Sequence, residues 1–147
     1  MKNKLASIFL GLIAFGSASA SGQAQQGPEF AGSWTFKAWI GQACEFTGIA
    51  RISPIPDEDG TYTCQLTADQ SCEFVEWTVR QTCIAKPQGD RLWIKSEIAE
   101  FIGDTESNSY LPDDFLLTID SAKRMFGALH SAGVFKAEWI RDEGVTS

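Results

Sequence analysis

Few side chains in this sequence are of types that carry chemistry, and their spacing narrows the choice further. The 147-residue chain holds one histidine, His130, and four cysteines, Cys44, Cys64, Cys72 and Cys83. A histidine-centred triad needs a nucleophile and an orienting group that converge on the imidazole. His130 shares its parity with Phe126 and Ala128, opposite Met125 and Leu129, which places it on an outer face beside a turn. It reads there as a solvated histidine. Asp113-Asp114 and Asp57-Glu58-Asp59 are the paired carboxylates that acid–base work would use. Both fall in turns, where acids serve backbone hydrogen bonding. Asp57-x-Asp59-Gly60 copies part of a calcium loop but lacks the distal glutamate and the full ligand count. No Gly-rich phosphate loop follows a strand-like run, and no G-x-S-x-G elbow occurs. The expectation is a non-enzyme without metal or cofactor.

The cysteines speak to compartment instead. Lys2 and Lys4 precede an apolar stretch from Leu5 to Phe15, and Ala18-Ser19-Ala20 follows as an A-x-A cleavage site. That run is shorter than the roughly 20 apolar residues a bilayer span requires. Residues 1–20 are therefore expected to be a signal peptide, residues 21–29 a polar flexible tail, and residues 30–147 one domain. The protein is expected in the periplasm or medium, without a membrane span and as a monomer. In that compartment four cysteines read as two disulfides, with three possible connectivities. A zinc site would want C-x₂-C spacing, and the cysteines lie farther apart. The formal charge of -7 argues against binding a nucleic-acid backbone, which needs a basic face.

Period-2 alternation between turn signals marks eight strand-like segments: 31–40, 44–53, 60–67, 74–86, 91–101, 115–121, 124–130 and 134–141. Asp57-Glu58-Asp59-Gly60, Pro87-Gln88-Gly89-Asp90 and Ser131-Ala132-Gly133 suit hairpin turns. The one long connection, 102–114, is polar, and its end, Tyr110-Leu111-Pro112-Asp113-Asp114, reads as one helical turn. With every other connection short, successive strands pair antiparallel as a meander. Eight such strands close into an all-β, up-and-down barrel without free edges, with a two-sheet sandwich as the rival arrangement. Parity assigns Trp34, Phe36, Leu92, Ile94, Phe115, Leu117, Phe135 and Trp139 to the interior. A barrel of this size holds side chains or one small ligand, so these residues leave at most a shallow mouth.

Register then bears on the disulfides. The turn at 57–59 sets Cys44 opposite Cys72, and a loop at 67–73 sets Cys64 opposite 76 and Cys83 opposite 57. Cys44 and Cys72 then share one barrel end, which favours Cys44–Cys72 and leaves Cys64–Cys83 with an axial offset that a bulge or twist must close. Cys44–Cys64 with Cys72–Cys83 is the rival, available if the fourth strand starts well after Cys72.

Gly32-Ser33-Trp34 at the start of the first strand is a G-x-W motif, and Arg141 closes the last strand. The pairing resembles the calycin superfamily of lipocalins, fatty-acid-binding proteins, avidins and small bacterial barrel inhibitors. The resemblance spans about residues 30–141 and implies that Trp34 packs across the barrel base, with Arg141 over its ring. A guanidinium stacks well on an indole face and can cap nearby carbonyls. Binding or inhibition is the function so implied. A protein partner such as an envelope protease comes first, engaged in the bacterial metalloprotease inhibitors by an N-terminal segment like Ser21 to Pro28. Carriage of a small hydrophobic ligand and a structural envelope role are the alternatives. Trp39, Trp77 and Trp93 would mark a partner surface wherever they face outward.

Overall fold

The computed structural model describes residues 30–56, 58, 60–103 and 106–144. The signal peptide and tail expected at 1–29 lie outside them. Alternating apolar residues give eight strands: β1 (Gly32–Ala38), β2 (Cys44–Pro54), β3 (Tyr62–Cys72), β4 (Val75–Gln88), β5 (Arg91–Ile102), β6 (Asp114–Ser121), β7 (Arg124–His130) and β8 (Val134–Arg141). Each strand pairs antiparallel with the next, and β1 pairs with β8, so the sheet closes as a meander barrel. Closure pairs both edges that an open sheet would expose. The β4–β5 turn needs its glycine. Gln88 faces Arg91, which leaves Gly89 and Asp90 as the turn, and Gly89 takes a φ of 63° that L side chains rarely adopt.

Inward parity produces a filled interior. Trp34, Trp139, Phe46, Phe115, Leu92, Ile94, Leu117, Met125 and Leu129 are fully buried. Phe36 stacks on Trp139 at 5.1 Å, and Phe115 meets the same indole edge-on at 5.0 Å, geometries that aromatic quadrupoles favour. The Trp139 Nε1 donor has no partner among the described residues. Leaving such a donor unpaired costs about 1–3 kcal/mol, outweighed here by burial of the whole ring.

Two sequence expectations need correction. The loop expected at 67–73 is strand: β3 continues through Thr67, Ala68, Asp69, Gln70 and Ser71 to Cys72, and only Glu73 and Phe74 form the turn. The longer strand shifts the β3–β4 register, so that Cys64 faces Cys83, not position 76, and Cys83 does not face 57. The axial offset anticipated for that pair vanishes. The bridges join Cys44 to Cys72, with Cα atoms 4.1 Å apart, and Cys64 to Cys83, at 4.8 Å. Both pairs are cross-strand neighbours in register. Secondly, Tyr110 to Asp113 form no helical turn, and Asp114 opens β6. The carboxylates of Asp113 and Asp114 are drawn to β4 and β5 instead, as described below.

Candidate functional site

The two ends of the barrel are built differently. At the end where β1 begins and β8 finishes, the Arg141 guanidinium lies 4.4 Å over the Trp34 ring. It donates to Ala31 O at 2.6 Å and to Ala122 O, tying the entry of β1 to the β6–β7 turn. Trp34 Nε1 donates to Phe30 O at 2.7 Å, and the Phe30 ring packs edge-on against Tyr62. Gly32 is required here. Its φ is 124°, and a Cβ would stand 2.7 Å from Arg141 Nη1. The Trp34 indole N–H and the Arg141 Nε and Nη1 groups are thus engaged in holding the end shut.

The opposite end carries the turns after β1, β3, β5 and β7. A buried polar network ties the long β5–β6 connection to the wall. Gln81 Nε2 donates to Asp113 Oδ2 at 2.6 Å, and the Asp113 N–H donates to Gln81 Oε1 at 2.9 Å. The Tyr110 hydroxyl donates to Asp113 Oδ2 at 2.6 Å, and the Ser96 hydroxyl donates to Asp113 O at 2.7 Å. Asp114 accepts from the Ser96 N–H at 2.7 Å and pairs with Lys95 at 3.3 Å. Burial pushes the Asp113 carboxyl up to about 6, against the pull of hydrogen bonds from Tyr110 and Gln81. Burial first, and then the Asp113 charge, raises the Tyr110 phenol far above its ordinary value. The network thus joins residues 32 apart in sequence into one latch.

Asp113 also lines a small cavity at this mouth, of about 130 Å³, with Ile40, Phe46, Gln70, Leu129 and Phe135. A water occupies about 30 Å³ in the liquid, so the space suits a few waters or a very small molecule. A larger concavity of about 680 Å³ lies outside the barrel, on the wall formed by β3 to β5. Its lining of Ile84, Lys86, Trp93, Lys95 and Glu97 mixes both charges.

The remaining expected residues are scattered. His130 is half-buried on the outer face, with its ring 6.0 Å from Trp93 and Asp114 opposite it in register. The Ser131 hydroxyl beside it donates to Leu111 O rather than to the imidazole. Glu58 donates its N–H to Ile55 O in a turn, while Asp57 and Asp59 lie outside the described residues. Trp39 and Trp93 face outward. Trp77 is half-buried against Tyr110 at 5.8 Å. Sequence reasoning missed the Asp113 latch and placed that carboxylate in a turn, serving backbone hydrogen bonding. A signal existed, since Gln81 shares the inward parity of Val79 and Cys83, and a polar side chain on an inward face needs a partner.

No family model matches the chain, and no curated protein matches it. Among solved structures it is similar to a de novo designed fluorescence-activating β-barrel, with a TM-score of 0.52 and 14% sequence identity. The match covers 78% of this chain and 94% of the designed one. At that identity the likeness concerns the fold alone. Fold and ends together define a closed eight-stranded meander barrel, capped by arginine on tryptophan at one end and latched by a buried carboxylate at the other.

Proposed function

We propose that this protein is an exported, non-enzymatic binding barrel of the calycin type that works through its surface on a protein partner, a protease being the first class to test. One observation carries the reading: the apolar side chains that a carrier would arrange around a lumen fill the lumen instead. Of those left over, Trp39, Phe74, Val75, Ile102, Leu111 and Val134 are exposed at the loop end, while Ile49, Ile84, Trp93, Phe126 and Ile140 are spread along the outer wall. Exposed aromatic and aliphatic groups gathered in one region are the mark of an interaction surface. The designed barrel it resembles is described as fluorescence-activating, and a ligand reading by that analogy would use the 130 Å³ mouth inside the barrel or the 680 Å³ concavity on its outer wall.

The test is a titration of residues 21–147 against purified secreted serine and metalloproteases, beside a second chain starting at residue 30. The expected result is stoichiometric, saturable inhibition of one class. Loss of inhibition with the shorter chain would assign the contact to the tail, and retention would assign it to the barrel. A hydrolase screen that found turnover abolished by His130→Ala would refute the non-enzymatic reading.

A further inference from the structure

Phe74 is 89% exposed, the most exposed large apolar side chain among the described residues. It occupies half of a two-residue hairpin turn, because Cys72 faces Val75 across β3 and β4. Tight hairpins of this length favour asparagine, aspartate or glycine, and the chain places Glu73 and Phe74 there. The β3 leg of the turn is secured from outside it, by the Cys44–Cys72 bridge to β2. A tight turn that lacks those residues and holds an aromatic ring in solvent, on a strand bridged to its neighbour, breaks local rules in the way functional sites do. Val75 and Ile102 extend the apolar tip along a groove of about 480 Å³ that ends at Gly103.

Charge indicates what could cover it. The titratable groups lining this groove are Glu73 and Glu76, and Glu45 and Asp69 extend the same sign over β2 and β3. No Lys or Arg occurs between Asp69 and Val79. A second copy meeting this surface face to face would bring like charges together, and an anionic bilayer would repel them. We propose, on the basis of the binding reading above, that the β3–β4 hairpin tip is the docking element, and that Phe74 anchors in an apolar pocket of a protein rimmed by basic side chains. The two-residue turn, with its β3 leg bridged to β2, supplies the preorganisation that makes one projecting aromatic an effective anchor, since little loop entropy is lost on docking.

The experiment is site-specific photo-cross-linking with the full mature chain. A benzophenone-bearing phenylalanine analogue is placed at position 74, or at position 93 as the outer-wall control. Each form is irradiated with an extract of the source cells, and separately with phosphatidylglycerol vesicles. The expected result is a discrete protein adduct from position 74 and none from position 93. Glu73→Lys combined with Glu76→Lys should cut its yield at least ten-fold, as should 0.5 M salt. Unlabelled wild-type chain should compete it away, and Phe74→Ala should need at least ten-fold more. An adduct equally strong from position 93, a self-adduct, a lipid adduct, or one insensitive to the charge reversals would overturn the assignment of the tip while leaving a binding barrel intact. No protein adduct from either position, together with no protease complex, would overturn both the tip and the binding reading.

Discussion

The closed end and the loop end of this barrel spend their aromatic residues in opposite ways. At the closed end Trp34 is buried beneath Arg141, and its indole N–H, its face and the neighbouring carbonyls all have partners. At the loop end Trp39 stays 47% exposed with Lys37 and Lys136 each 5.0 Å from its ring, and Phe74 stands almost free. Burial of a large aromatic contributes to stability, whereas an exposed one contributes only when something else covers it. The difference separates the residues that hold the fold from those available for binding, and mutation should separate them the same way.

The largest effect belongs to the closed end. Trp34→Ala should cost about 3–5 kcal/mol, because it deletes a core indole and strands the guanidinium stacked on it. Chemical denaturation would read this, and a loss under about 1 kcal/mol would show that the end is not closed by this pair. The bridges come next. Each closes a loop of comparable length, with sequence separations of 28 and 19, and each contributes about 3 kcal/mol by restricting the unfolded chain. They should part in accessibility. Cys64 and Cys83 are buried, whereas Cys44 and Cys72 are partly exposed at the loop end, so mild reductant should open Cys44–Cys72 first. Peptide mapping after partial reduction would show which bridge opened.

Asp113 gives a pH-dependent view of the loop end. Its folded-state value, about 6, lies above the ordinary 3.8, so the folded protein binds the proton more tightly than the unfolded chain does. The stability this contributes is complete below about pH 3.8 and is lost as pH rises through 6, a span worth about 3 kcal/mol. Asp113→Asn should flatten that part of the stability–pH curve, measured by urea unfolding between pH 4 and 7. An unchanged slope would place the titration elsewhere. The smallest effect on folding is expected from Phe74→Ala, within about 0.5 kcal/mol of wild type, as for other exposed substitutions. A loss near that of Trp34→Ala would erase the distinction between the two ends.

What was legible in the sequence follows the same division. The closed end could be read because Gly32, Trp34 and Arg141 fall on strands with clean alternation, and their contact joins the first strand to the last. The end of β3 could not. Ala68, Asp69, Gln70 and Ser71 have weak strand preference, and Ala68, although fully buried, is too small to signal an inward face. The strand is extended there by ladder bonds to both neighbours and by a bridge at its end, which are tertiary facts. The Asp113 latch failed for a related reason. Two adjacent aspartates after a proline look like turn residues, and only the closed sheet brings Gln81 under them.

A filled barrel leaves the binding proposed above to its outer surface. Titration of residues 21–147 with N-phenyl-1-naphthylamine, a lipophilic dye that brightens in apolar cavities, distinguishes a filled interior from an open one. A filled interior should give only weak, non-saturating enhancement, unchanged by Leu129→Trp at the mouth. Saturable one-to-one binding abolished by that substitution would contradict it and make the interior the site.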